Sequence, residues 1–310
     1  MRIIRQYTGL GPDDQGASAA IGNFDGVHRG HQAVIDLARD ADPDAPLGVV
    51  TFDPHPRQYF QPVAAPFRLT GAAARASRLR KLGVDLLYEL PFDSALATLT
   101  AESFARDVLA RGLGLSHVVV GADFRFGKGR TGDAAALRAF GQDMGFGVTV
   151  APLLSHGVDQ VSSTAIRQAV SDGRPRDAAA LLGHWHRIEG PVLHGEKRGR
   201  ELGYPTANMS IDGLHLPRFG VYAVLVDIAE GPHAGRYHGA ASVGVRPMFG
   251  ENRPNIETFL FDFAGDLYGT TLSVALVEFL RPEENFDSLD ALIVQMADDC
   301  DRARAILSAL

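Results

Sequence analysis

Gly22-Asn-Phe-Asp-Gly-Val-His-Arg-Gly-His31 joins a short apolar run, Ser18–Gly22, to a helix-like segment, His31–Ala41. A strand that passes through a glycine-rich turn straight into a helix is the opening of an α/β unit. The same alternation continues outward. Leu47–Asp53, Asp85–Leu90, His117–Phe124 and Gly147–Leu154 read as strands, with helical stretches at Gly71–Leu82, Ala101–Leu113 and Ala134–Met144 between them. Strands spaced by crossover helices pair in parallel, so the first part of the chain is predicted to be a doubly wound α/β domain. Ligands of such sheets sit at the carboxyl ends of the strands.

Two short helices, Thr164–Ser171 and Arg176–Leu182, close this part, and the boundary falls at Gly183, giving domains 1–183 and 184–310. Beyond it the periodicity changes. Phe219–Ile228, Tyr237–Val245, Asn255–Phe263 and Thr271–Leu280 are β-branched and aromatic, with Gly or Pro between them. Closely spaced strands with turn signals predict an antiparallel β-sandwich or β-barrel. A terminal helix, Leu289–Leu307, follows, with Asp287 or Ser288 as its cap. Its residues Leu289, Leu292, Ile293, Met296, Cys300, Ile306 and Leu307 fall on one face.

The 310 residues are 45% hydrophobic and carry a net charge of −7 without long runs of one sign, which speaks against a nucleic-acid partner. The single cysteine, Cys300, allows no intrachain disulfide and fits a reducing compartment. MRIIRQYTGL lacks the apolar core of a secretion signal, and no stretch approaches the roughly 20 apolar residues of a membrane span. A soluble cytoplasmic protein is expected, monomeric or weakly self-associating, with no membrane partner.

Two stretches carry chemistry. In the first, glycines let backbone approach a ligand, and the helix that follows presents free N–H groups suited to phosphate. His28 and His31 are three apart and share a face once the helix has begun. Two imidazoles there can donate hydrogen bonds to phosphates as charge develops. A surface loop with two incidental histidines would look the same in isolation, and a zinc site would want a further Cys, Glu or His. Ser162, Ser163 and Thr164 open a later helix and can cap it or bind an anion, with Arg167 one turn further in. Asp53-Pro54-His55-Pro56 is a stiff strand end against which a ring could pack, and Asp123 ends another strand.

The second stretch is Gly195-Glu-Lys-Arg-Gly-Arg-Glu-Leu-Gly203, a basic glycine-spaced loop without the GK[ST] of a Walker A sequence. Tyr204-Pro-Thr-Ala-Asn-Met209 follows. Thr206 and Asn208, two apart on an extended segment, point the same way and can offer oxygens to Mg2+, although Pro and Asn are equally at home in a turn. Glu257 lies two residues from Phe259, and alternation sets it on the face of Phe259, Phe261 and Phe263. A carboxylate there needs a partner, and it suits either a general base or an ion pair with an Arg.

These segments resemble one family over nearly the whole chain. Gly22–His31 is similar to the HxGH signature of nucleotidylyltransferases, and more narrowly to the adenylyltransferase module of the prokaryotic bifunctional riboflavin kinase/FMN adenylyltransferases, or FAD synthetases. Thr51-Phe-Asp-Pro-His-Pro56, Gly121-Ala-Asp-Phe-Arg-Phe-Gly127 and Val161-Ser-Ser-Thr-Ala-Ile-Arg167 resemble its FxPHP, GxDFxFG and SSTxIR segments. Gly195–Gly203 with Pro205-Thr-Ala-Asn208 resembles the GxxRGRxLGxP and PTAN signatures of its kinase module. The resemblance implies two reactions: riboflavin and ATP give FMN, then FMN and ATP give FAD and pyrophosphate. It implies that Gly22, Asn23, Phe24, Asp25, His28, His31, Ser162, Ser163, Thr164 and Arg167 hold ATP and its phosphates. Pro54, His55, Pro56, Asp123 and Phe126 would contact the flavin. Gly195, Lys197, Arg198, Gly199, Gly203 and Pro205 would bind the kinase ATP, Thr206 and Asn208 would hold Mg2+, and Glu257 would be the base.

Overall fold

The computed structural model describes residues 1–152, 154–156, 159–194, 202–248 and 251–310. The chain divides into two compact units, Met1–Ala65 with Arg75–Ser162, and Pro66–Ala74 with Ser163–Leu310.

The first unit is built on a six-stranded, wholly parallel sheet. Its strands are β1 (Arg2–Ile4), β2 (Ser18–Ile21), β3 (Leu47–Asp53), β4 (Leu86–Pro91), β5 (His117–Gly121) and β6 (Gly147–Ala151), in the order β1-β4-β3-β2-β5-β6. β2 and β3 are almost continuously apolar because both faces of the sheet are covered. On one face, α1 (Arg29–Ala41) and α3 (Ala72–Lys81) bury Ile35, Ala38, Ala76 and Leu79 against Ala20, Val49 and Val119; α2 is the short helix Pro56–Phe60. On the other, Phe104, Val108, Leu109 and Leu137 pack on Ile21, Val50 and Val120. The predicted helix from Ala101 keeps α geometry only to Ser103 and continues as a π-helix over Phe104–Ala110. α4 (Ala134–Met144) is capped by Asp133, whose side chain accepts the Ala136 N–H. β1 was not foreseen, since three residues at a sheet edge show no periodicity. After β4 the chain crosses over β2 to place β5 on its far side. The carboxyl ends of β2 and β5 therefore form the switch point of the sheet.

The second unit contains α5 (Ser163–Ser171), α6 (Pro175–Leu182) and a six-stranded antiparallel sheet. The strands are β7 (Arg187–Pro191), β8 (Thr206–Ser210), β9 (Gly220–Ile228), β10 (Gly235–Met248), β11 (Glu251–Leu260) and β12 (Thr271–Arg281), in the order β7-β12-β9-β10-β11-β8. Just past β7, the Leu193 N–H donates to the Asn208 carbonyl at 2.8 Å, and among the described residues this one bridge joins the two edges and nearly closes a barrel. Ile188, Met209, Tyr222, Val224, Val243, Ile256, Leu272 and Val274 fill its core. The opposite face of the sheet is covered by α7 (Leu289–Ser308), capped by Ser288. Ala303 and Leu307 are buried there, together with Asp299, whose carboxylate pairs with the Arg281 guanidinium at 2.8 Å. Leu289, expected on the packed face, is 55% exposed because only the later turns of α7 meet the sheet.

Candidate active sites

The loop after β2 holds its residues in an uncommon backbone. Phe24 and Val27 have φ of 50° and 45°, with Gly26 at 82°. Left-handed geometry is disfavoured for a Phe and more so for a β-branched Val. Both side chains are fully buried and packed with α1, which keeps the turn in place. The turn delivers His28 to the N-cap of α1, where its Nδ1 accepts the His31 N–H at 3.2 Å. The two imidazoles stack with centroids 3.6 Å apart and planes 14° apart, and the Phe24 ring lies 4.9 Å from that of His31. Burial, and after it the neighbouring His28, hold the His31 imidazole well below its ordinary value, so it is neutral at neutral pH. Its Nδ1 is buried with no partner among the described residues. Asp25 is buried beside this turn, and Gly22 sits where an added Cβ would meet the Phe24 ring at 3.4 Å.

β3, β2 and β5 are neighbours, so their carboxyl ends bring three of the sequence segments to one edge of the sheet. At the end of β3, His55 caps α2, its Nδ1 accepting the Arg57 N–H at 3.0 Å between Pro54 and Pro56. Past β5, Asp123 is exposed, whereas Phe126 is buried between Phe104 and Phe124, at 5.7 and 5.5 Å. Sequence reading missed an aromatic group beside α2: Tyr59 and Phe60 lie 5.4 and 5.8 Å from Phe92, and Phe60 is 65% exposed. The adjacent aromatics Tyr59-Phe60, shortly after the Pro-His-Pro turn, were the available signal. Ser162 ends the first unit, and Ser163, Thr164 and Arg167 lie on α5 of the second. Thr164 is exposed, and Arg167 donates through Nε to the Phe67 carbonyl at 2.6 Å.

In the second unit, the register of β8, β11 and β10 brings distant residues into one row. Asn208 pairs with Glu257, and Glu257 pairs with Ser242 on its other side. Directly opposed residues share a face, so the Asn208 amide, the Glu257 carboxylate and the Ser242 hydroxyl stand side by side. Thr206 lies two residues along the same face, opposite Phe259, and Tyr204 meets Phe259 edge-on at 5.3 Å. Asn208 is buried, its Nδ2 reaching the Thr206 carbonyl at 3.4 Å, and the Asn255 Nδ2 approaches Glu257 Oε1 at 3.5 Å. Ser242 and Asn255 were not singled out from the sequence, because register is not a local property. Of the three phenylalanines expected beside Glu257, Phe263 lies on the other face. Phe259 and Phe261 share its face, but β11 ends at Leu260 and Asp262 turns with φ 55°, which sends Phe263 to the barrel-core cluster against Tyr237. Gly203 has φ 83° in the turn before Pro205, while Gly195, Lys197, Arg198 and Gly199 lie outside the described residues.

Residues 11–165 match the family model for FAD synthetase, and residues 182–307 match that for riboflavin kinase. A bifunctional riboflavin kinase/FMN adenylyltransferase of Pseudomonas fluorescens is 41% identical over 309 residues, covering 99% of this chain and 98% of the relative. The chain belongs to the bifunctional riboflavin kinase/FMN adenylyltransferase family. The Escherichia coli K12 member is 39% identical, with 96% of each chain covered. A solved structure from Streptococcus pneumoniae, described as a macrolide-efflux protein, superposes with a TM-score of 0.81 at 32% identity over 98% of both chains. Among the described residues no helix is long and apolar enough to cross a membrane. As a riboflavin kinase/FMN adenylyltransferase, the protein uses ATP twice, to phosphorylate riboflavin to FMN and to adenylylate FMN to FAD.

Proposed function

We propose that the two reactions are divided between the row on β8–β11–β10 and the loop that leads into α1. The observation that carries this assignment is the register that sets Asn208 and Thr206 beside Glu257 in one unit, while His28 stacks on His31 in the other.

In the kinase reaction Glu257 accepts the proton of the riboflavin hydroxyl as that oxygen attacks the γ-phosphorus of ATP, and ADP departs. The neighbouring Asn255 amide orients the carboxylate. Thr206 and Asn208 offer a hydroxyl and an amide oxygen on one strand face, beside a carboxylate. This small set of hard oxygens fits Mg2+, which keeps water and substrate phosphates in its remaining positions. Mg2+ held there would neutralise phosphate charge. Gly195, Lys197, Arg198, Gly199, Gly203 and Pro205 are assigned to the phosphates of this ATP.

In the adenylyltransferase reaction a phosphate oxygen of FMN attacks the α-phosphorus of ATP and pyrophosphate leaves. His28 and His31 donate hydrogen bonds to phosphate oxygens whose charge grows in the transition state. N–H groups at the start of α1 and among the glycines around Gly22 donate to the same anion. Asn23, Phe24 and Asp25 shape the turn. Ser162, Ser163, Thr164 and Arg167 supply hydroxyls and a guanidinium to phosphate oxygens. Pro54, His55, Pro56, Asp123 and Phe126 are assigned to the flavin end, a reading favoured by the aromatic group of Tyr59, Phe60 and Phe92 at the same sheet edge. We further propose a functional boundary near Gly183, a cytoplasmic location and a monomeric or weakly associating chain.

Incubation of wild type, His28→Ala and Glu257→Ala with riboflavin and Mg-ATP tests the division. His28→Ala is expected to accumulate FMN with little FAD. Glu257→Ala should form no FMN yet still convert supplied FMN to FAD. A folded variant that loses both activities would contradict two separate sites.

A further inference from the structure

The carbonyl oxygen of Asn23, where the adenylyl loop leaves β2, is held by two buried side chains. Thr51 Oγ1 donates to it at 3.1 Å and Arg75 Nη1 at 3.5 Å. Thr51 is fully buried and Arg75 is 3% exposed. Arg75 also donates through Nη2 to Glu89 Oε1 at 2.8 Å, and the second oxygen of Glu89 takes the Nε of Arg5 at 3.1 Å. Thr51 and Glu89 are register partners on β3 and β4, so the hydroxyl and the carboxylate come from neighbouring positions on adjacent strands. The Arg75 Nε is buried without a partner among the described residues.

Stability alone does not explain a buried guanidinium with one N–H unmatched. An apolar side chain of similar volume commonly serves a core as well or better. What the ion pair supplies is geometry. The residues that follow Asn23 include Phe24 and Val27 in left-handed conformations, which persist only where the surroundings fix them. The far end of the turn is tied by Gln32 Nε2 to the Val27 carbonyl at 2.8 Å. The near end is tied by the Thr51 and Arg75 donors.

We infer that Arg75, aligned by Glu89, is a positioning residue of FMN adenylylation: it fixes the carbonyl from which the loop turns, so that His28 and His31 stand where phosphate charge develops. The inference rests on the assignment of those histidines to the phosphates.

The full chain is tested as Arg75→Met, Arg75→Lys, His28→Ala and the His28→Ala/Arg75→Met double variant. FAD formation from FMN and Mg-ATP, FMN formation from riboflavin, and FAD bound per chain are measured on each. Arg75→Met is expected to lower kcat for FAD formation about a hundredfold, as small misplacements of catalytic groups do. FAD stoichiometry and FMN formation should be unchanged. Arg75→Lys keeps one charged donor and should recover about tenfold of the loss. In the His28→Ala background the Met substitution should cost less than about threefold, the non-additivity of residues that act through one another. Three results would overturn the inference: an unchanged kcat in Arg75→Met, an equal cost in both backgrounds, or FAD stoichiometry that falls in step with the rate in both the Met and Lys variants. Undiminished FAD formation by His28→Ala alone would instead remove the histidine assignment, and with it the role given to Arg75.

Discussion

Replacing His186 by Gln is expected to flatten the acid side of the stability profile of the second unit. His186 is 3% exposed, and its Nε2 donates to the Leu69 carbonyl at 3.1 Å. That bond leaves Nδ1 as the unprotonated nitrogen, buried without a partner among the described residues. Burial pushes the imidazole down from 6.5 to about 4; the Leu69 bond opposes this, and His184 and His215 add to it. The unfolded chain therefore binds a proton that the folded chain refuses between pH 6.5 and about 4. The stability contributed by a neutral His186 is fully present above pH 6.5 and is lost as pH falls toward 4. The interval corresponds to about 3 kcal/mol of unfolding free energy. Gln retains a donor for the Leu69 carbonyl and does not titrate. The chain has one tryptophan, Trp185, half-buried next to His186 against the α7 side of the sheet. Urea unfolding followed by its fluorescence reports this unit alone. Between pH 7 and 4.5 the wild type should lose more stability than His186→Gln by a difference approaching that figure. Carboxylates and the histidines other than His184 and His215 contribute equally to both proteins and cancel. Coincident pH slopes would refute the reasoning.

Three further outcomes follow from the same geometry. Gly30→Ala should raise or preserve stability by up to about 1 kcal/mol through helix propensity. Its Cβ would stand 3.2 Å from two atoms of the His28 ring, so FAD formation should slow while FMN formation does not; kinetics and thermal unfolding on one preparation check the opposed signs. Asp299→Ala leaves the Arg281 guanidinium, 11% exposed, with the Pro282 carbonyl at 3.1 Å and the Glu284 carboxylate at 4.0 Å, and should cost the second unit about 3 kcal/mol in Trp185-monitored unfolding. Asn208→Ala should raise the Mg2+ needed for half-maximal FMN formation about tenfold, the equivalent of about 1.4 kcal/mol for one lost oxygen ligand. FAD formation from supplied FMN should keep its Mg2+ dependence, and chelation with EDTA should stop FMN formation in both proteins.

Much of the first unit was legible because its strands and helices differ in period and length. Leu47–Asp53 and Ala134–Met144 have the predicted bounds. The histidine pair could be read because strand, turn and helix are consecutive. What the sequence hides is pairing at a distance. Asn208 and Glu257 are far apart along the chain, and their contact depends on a register set by the whole antiparallel sheet. Arg75 lies in Ala72–Lys81, a helix with four basic residues that reads as a solvated face; only the position of Glu89 on β4 shows that this guanidinium is inside. Asp299 was hidden in the same way, since its value to α7 depends on Arg281. Phe263 was misplaced because alternation was carried past the point at which Asp262 reverses the chain.

The Leu193–Asn208 bridge gives Asn208 two tasks. Its carbonyl seals the narrowest seam of the barrel, while its side chain faces the row that includes Glu257. Among the described residues one backbone bond holds this seam, whereas ladders hold the other strand borders, so slow opening of the barrel should begin here. Mg-ATP held through the metal at Asn208 would then act as a clasp. The amide proton of Leu193, read by solvent exchange, becomes a gauge of whether the kinase half is loaded.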